Sequence, residues 1–346
     1  MEQIERDSRR GLGRFNAYVA PARNGKATLW RLALGLVLVA AVWLVGTLGI
    51  VVVGAGGVVL REGLDGNSLD AIADRNDGEW LFRSPSGTCL VLGSFVAMWA
   101  GVWLALRVLH GRSTGSALGA ERRLDRADFG RAAVAAFALG VVHIPVVWLI
   151  EPTLIRGQIS LLGWLLALLP VIAFCFVQTS AEEVLFRGYL QQQLAARFAT
   201  PAVWLGFPTV LFTLLHWDVD ASRAMNLAVV AEIGAFALAA SYLVVRTGNL
   251  GAAMGVHFGH NITGFLFFSS EPLVSGASLF HGRPVADADW APEQALMLGL
   301  TGMGAVLVVQ WLLLHHASPL RLPSLSRPVG EDGGLLPDLG EPRREH

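Results

Sequence analysis

Charge is scarce in this sequence. Asp, Glu, Lys and Arg make up 15% of its 346 residues, against about a quarter in ordinary soluble domains. The shortage excludes a solvated surface over most of the chain. A formal net charge of −1 gives none of the basic field that nucleic acid binding calls for. Lysine is almost missing, with one against 25 arginines. The two cysteines, Cys89 and Cys175, stand in apolar runs without metal-binding or redox spacing, and are expected as buried small hydrophobes. No HExxH pair of zinc ligands occurs anywhere. A short signal-peptide core is also missing. The first apolar run follows about thirty polar residues and is too long for one, so no cleavable leader is expected.

What the chain has in excess is hydrophobic residues, 53%, with a mean hydropathy of +0.53. They gather into runs of the length that crosses a bilayer. Eight can be drawn: 30–58, 87–108, 131–151, 161–186 with a possible extension to 197, 202–217, 224–245, 249–269 and 293–315. The fifth is short. Basic residues alternate between the connecting segments, nineteen against six. By the positive-inside rule this places both termini in the cytoplasm. The expected fold class is all-α, a polytopic membrane helix bundle of about eight transmembrane helices.

This reading divides the chain into a cytoplasmic N-terminal tail (1–29), three helices with their loops (30–159) and a core of helices four to seven (160–270). An external loop with the last helix (271–316) and a Pro- and Gly-rich tail (317–346) follow, the tail expected to be disordered. Residues 61–86 read as a small external loop, and 122–131 as an interfacial segment entering the third span.

Ionisable residues inside apolar spans are costly and default to a functional reading. Here they are His143, Glu182, Glu183, Arg187, His216, Glu232, His257 and His260, with the amide of Asn261 beside them. Glu183 and Arg187 are four apart, so one helical face lets them neutralise each other. Glu182 points about 100° away and stays available for chemistry. His257 and Asn261 also share a face. His143, beside Pro145, is expected to satisfy backbone freed by the proline. Glu232 is expected to hydrogen-bond a neighbouring helix, and His260 to be a supporting or helix-contact residue. If the fourth helix continues to Arg197, with Pro170 kinking or ending its outer part, then Glu182, His216, His257 and Asn261 reach comparable depths of roughly 14–24 Å.

Three motifs now stand in order: "EEVLFR" at 182–187 (EExxxR), "FTLLH" at 212–216 (FxxxH) and "HFGHN" at 257–261 (HxxxN). Together they resemble the CPBP (CAAX protease and bacteriocin-processing, Abi) family of intramembrane proteases, which includes the type II CAAX prenyl endopeptidases. The similarity covers roughly residues 160–270. It implies an intramembrane endopeptidase acting on a membrane-associated or lipid-anchored (CAAX-like) substrate. Glu182 and His216 would activate water, His257 and Asn261 would hold the oxyanion, and Glu183 and Arg187 would keep the site in shape. Carboxylate base and paired donors suit that chemistry.

A zinc ion held by Glu182, His216 and His257 is the alternative. Without HExxH, and with Asn261 beside His257, a metal-free glutamate mechanism with no cofactor is preferred. A carrier or proton relay is the competing class of function, and a catalytically silent scaffold of the same fold is a third. The expected partners are the bilayer and a membrane-bound peptide or lipidated protein, with no nucleic acid and the oligomeric state left open. Short loops and the arginine bias point to a bacterial plasma membrane.

Overall fold

A computed structural model describes residues 2–23, 26–62 and 84–327 of the chain. Each of the eight apolar runs is helical. After α1 (Glu2–Arg23) come α2 (Leu29–Glu62), α3 (Pro85–Gly93) and α4 (Phe95–Leu104), which runs on through a π turn at Ala105–Leu109. A short α5 (Gly115–Leu118) precedes α6 (Arg126–Ile150). The fourth run is α7 (Leu161–Glu183), a π segment (Val184–Gln191) and α8 (Gln192–Arg197) in unbroken succession. Then follow a π turn (Ala202–Gly206) leading into α9 (Phe207–Leu214), α10 (Arg223–Thr247), α11 (Gly251–Leu266) and α12 (Pro292–Leu314).

Among the described residues six helices are long and apolar enough to cross a membrane, where eight spans were expected. The two that fall short are the fifth run (Ala202–Leu214) and the seventh, α11, of 16 residues. Large apolar side chains on the outside, including Val52, Leu149 and Leu169, are exposed. Soluble proteins do not leave such belts uncovered, so this is an integral membrane protein. The longest crossing, Leu161–Arg197, has 37 residues, about 55 Å of helix, and outruns the hydrocarbon core. It passes through Pro170 without ending.

Helix ends follow from the sequence. Ser160 caps α7 by accepting from Gly163 N–H, and Asp125 caps α6 by accepting from Ala127 and Asp128 N–H, each satisfying donors that a first turn leaves unpaired. Along α11, a Cβ on Gly255 or Gly259 would stand 2.3 Å from the carbonyl oxygen of Phe129 or Ala133. Only bare backbone allows α6 and α11 to approach so closely, and that contact fixes where His257 lies.

Three departures from the sequence reading concern the ends and the cap. The N-terminal segment is a docked helix: Phe15, Tyr18, Val19 and Ala22 of α1 are buried. Gly248 ends α10 in the left-handed conformation (φ +66°), and a Cβ there would meet Arg14 O at 2.6 Å. Residues 317–327 fold back instead of dangling. Leu322 and Leu325 are buried, Ser324 N–H donates to Asp128 Oδ1 and Arg327 pairs with Asp125. The rest of the expected disordered tail, 328–346, lies outside the described residues, as does the expected loop with Arg75 and Arg83 over 63–83. A small sheet also interrupts the all-α pattern: β1 (Ile155–Arg156) pairs antiparallel and β2 (Phe268–Ser269) parallel with the central β3 (Phe280–His281). The sheet caps one face of the bundle, and α1 with residues 317–327 closes the opposite face.

Candidate active site

The site is built where the junction of α7 and the π segment meets α10 and α11. The Glu183–Arg187 pair expected from the four-residue spacing is present, with Arg187 Nη1 2.9 Å from Glu183 Oε1 and both side chains fully enclosed. Two buried charges persist only when each is neutralised and hydrogen-bonded. Arg187 meets that condition with Nη2 on Ala237 O (3.0 Å), Nε on Ser241 Oγ (3.3 Å) and its guanidinium 4.9 Å from the Phe212 ring centroid. A π segment beginning at Val184 is a frequent departure at functional sites, and it turns Arg187 toward α10.

His257, on α11, faces this pair. Its Nδ1 is 2.9 Å from the same Glu183 oxygen, and its Nε2 is 3.5 Å from Glu182 Oε2. Glu183 Oε1, already held by Arg187, accepts hydrogen bonds, which assigns the proton to Nδ1 and turns Nε2 toward Glu182. The spacing argument left Glu182 apart from Arg187. The structure agrees, and gives Glu182 two other neighbours. Oε1 accepts from Gln178 Nε2 (2.8 Å), and Gln178 Oε1 accepts from Asn261 Nδ2 (3.0 Å). The Glu182 side chain keeps 15% of its surface accessible while Glu183 keeps none, so the two adjacent carboxylates occupy different environments.

Among the six expected site residues, five converge: Glu182, Glu183, Arg187, His257 and Asn261. His216 does not join them. It is exposed, its Nδ1 donates to Phe212 O at 2.8 Å, and no hydrogen bond or ion pair connects it to Glu182. Its connection to the cluster runs through Phe212, whose ring centroid is 4.8 Å from that of His216 and 6.2 Å from that of His257. His257 and Asn261, expected as joint donors from one helical face, meet different partners here: His257 faces the two glutamates and Asn261 faces Gln178.

Gln178 and Ser241 are the residues that motif reading missed. Gln178 stands one turn before Glu182, and an amide at that spacing in an apolar helix was the available signal. Among the described residues no three His, Cys, Asp or Glu side chains converge as a metal-binding group. The zinc set Glu182, His216 and His257 is not gathered: His257 Nε2 is 3.5 Å from Glu182 Oε2, but His216 is exposed and has no hydrogen bond or ion pair with either.

Comparisons with known proteins cover this part of the chain. Residues 163–263 match the family described as Rce1-like, type II CAAX prenyl endopeptidase Rce1-like. The chain is 25% identical over 289 residues to the uncharacterized protein YyaK of Bacillus subtilis (strain 168), covering 79% of this chain and 91% of that protein. No solved structure matches. The matched segment holds all six expected site residues and reaches from α7 to α11.

Proposed function

We propose that this protein is an intramembrane endopeptidase that cleaves a peptide bond in a membrane-associated or lipid-anchored, CAAX-like substrate. The observation that carries the reading is His257 standing between two unlike glutamates, one enclosed with Arg187 and one accessible and held by Gln178. Such a division gives one carboxylate to orientation and leaves the other for proton transfer. The match over residues 163–263 to a protease-related family supports it.

In this mechanism a water molecule binds between Glu182 Oε2 and His257 Nε2. Glu182 takes a proton from the water, the oxygen attacks the scissile carbonyl carbon, and charge develops on the carbonyl oxygen. Asn261 Nδ2 is the nearby neutral donor for that oxyanion. Collapse of the tetrahedral intermediate breaks the C–N bond, and the proton held by Glu182 passes to the leaving amine. Glu183 holds the Nδ1 proton of His257 throughout. His216, on the open side of Phe212, is assigned to contact with the arriving substrate. The water needs no metal in this scheme, so no step is routed through zinc. The membrane is proposed to be a bacterial plasma membrane, in keeping with the similarity to a Bacillus protein.

The test is cleavage of a lipidated, CAAX-terminated peptide by purified protein in nanodiscs, with Glu182→Gln as comparison. Cleavage that falls at least about a hundredfold in Glu182→Gln, with the fold retained, supports the reading. An inactive parent, or a variant as active as its parent, rejects it.

A further inference from the structure

Behind the glutamates, on the far side of the Phe236 ring, a second set of ionisable side chains faces a cavity. It has two lobes of about 150 and 270 Å³ that share His143, Val147, Glu232, His260 and Phe268 as walls. The sequence reading gave His143 and Glu232 hydrogen bonds to backbone or a neighbouring helix. Among the described residues no hydrogen bond or ion pair engages either of them, or His260. His143 Nε2 is fully buried without a partner. The Glu232 carboxyl lies against bare backbone, since a Cβ on Gly302 would come within 2.2 Å of its Cδ. His260 is exposed, and it is this cavity that it faces.

Three unpartnered ionisable groups in a dry, lipid-surrounded space would each carry a desolvation cost of several kcal/mol. Water removes that cost, and lobes of this size hold several molecules at about 30 Å³ each. The larger lobe ends at a polar collar on the face of the small sheet. There Arg283 pairs with Asp287 (3.0 Å) and approaches Glu151 (3.7 Å), over the Trp290 ring. The inner end is Phe236, whose ring centroid is 6.4 Å from that of His260 and 5.0 Å from that of His257. One aromatic ring therefore separates this space from the imidazole beside Glu182.

We propose that His143, Glu232 and His260 line a water-filled chamber that opens on the face of the small sheet and supplies water past Phe236 to the site at His257. The chamber itself is independent of the peptidase reading; the supply of water rests on it.

The experiment uses full-length protein in nanodiscs, with Cys89 and Cys175 replaced by alanine and single cysteines introduced as reporters. Ile144→Cys and Val306→Cys put thiols on the chamber wall. Val142→Cys and Leu307→Cys put them on the lipid-facing side of the same helices, at nearly the same depth. A permanently charged methanethiosulfonate needs both water and an ionised thiol, so chamber positions should react at least about tenfold faster than their controls. Equal rates at both pairs overturn the proposal. Glu232→Leu combined with His260→Leu should bring the chamber rates down to the control rates; unchanged rates remove these residues from the argument and overturn it. Modified Val306→Cys should then lose at least about tenfold of the parent's turnover, whereas modified Leu307→Cys should not. Rapid labelling with turnover unaffected keeps the chamber and overturns the water supply. A parent that labels yet cleaves nothing rejects the peptidase reading and leaves the chamber standing.

Discussion

His257 Nδ1 stands 2.9 Å from Glu183 Oε1, on the oxygen that also receives Arg187. One enclosed carboxylate oxygen therefore serves an ion pair and an imidazole at once. The arrangement makes Glu183 more than the structural counter-ion that its spacing from Arg187 suggested, because it also sets which nitrogen of His257 faces Glu182. The other oxygen, Oε2, is buried without a hydrogen-bond partner among the described residues, so nothing competes for the position of the carboxyl group.

Glu183→Gln should accordingly fail in two measurements. Removing the charge leaves Arg187 enclosed and unpaired, a loss of about 3–5 kcal/mol where buried pairs have been broken. Thermal unfolding in detergent should report it as a clear drop in Tm. The surviving folded fraction should also turn over slowly, since the amide can present its NH₂ to Nδ1 and reverse the tautomer. Glu182→Gln, at a partly accessible residue that carries no ion pair with Arg187, should keep its Tm and lose turnover. A Glu183→Gln protein with normal stability and normal kcat would contradict the geometry.

Gln178 joins Glu182 to Asn261 through its own amide, accepting from one and donating to the other. Gln178→Leu keeps the volume and removes both bonds. Turnover should fall about 10- to 100-fold from loss of positioning, with KM little changed, because Gln178 holds the base without providing substrate contacts. Gln178→Asn, one methylene shorter, should recover part of kcat only if the amide reaches one partner. A change confined to KM would place Gln178 in substrate binding instead.

The helices were legible because length and apolarity alone decide them: eight runs were drawn and each is helical. Glu183–Arg187 was legible because (i, i+4) neighbours meet on any helix. What local pattern cannot express is which neighbouring helix a side chain meets. His216 follows Phe212 by one turn, as the motif requires, yet its ring nitrogen is taken by the Phe212 carbonyl. Gln178 is one polar residue in an apolar helix, and only the approach of α11 brings Asn261 to it. The segment 317–327 read as disordered from its proline content, and its order comes from Asp128 and Asp125, nearly two hundred residues earlier. Residues 184–191 show no sign of a π segment in composition, since that hydrogen-bond shift is set by what packs around it.

The docked N-terminal helix gives a stability prediction away from the site. The Tyr18 hydroxyl lies 2.9 Å from Ala117 O and 3.1 Å from Arg187 O, and Gln192 Nε2 donates to Tyr18 O. Nearby Arg112 is enclosed and bonded to Gln192, and burial brings its guanidinium down to about 10, against the opposing pull of Tyr18. Tyr18→Phe removes a buried donor from two carbonyls and should cost about 1–3 kcal/mol, seen as a lower Tm. Because one of those carbonyls belongs to Arg187, turnover should fall along with it. An unchanged Tm would show that α1 is held by its apolar face alone.

The proposed metal-free scheme makes a prediction that the surroundings of the two histidines sharpen. In a zinc site, His216 and His257 would each turn a free nitrogen to the ion, with Glu182 as third ligand and one position open. Here both histidines donate Nδ1 and keep Nε2 free, but only His257 turns it to Glu182, at 3.5 Å, while His216 is exposed with no hydrogen bond or ion pair to Glu182. Gathering the set would require His216 to leave Phe212 and move to Glu182. The metal-free scheme needs no such movement, only Glu182 as base and His257 beside it. Protein stripped with a strong chelator, and shown by elemental analysis to hold far less than one zinc per chain, should therefore still cleave a membrane-anchored peptide at close to its original rate. His216→Ala should reduce kcat/KM chiefly through KM, since that residue meets substrate, whereas loss of a metal ligand would empty the site and abolish kcat. Activity that disappears on stripping and returns with stoichiometric zinc would overturn the glutamate scheme and make His216, His257 and Glu182 ligands after all.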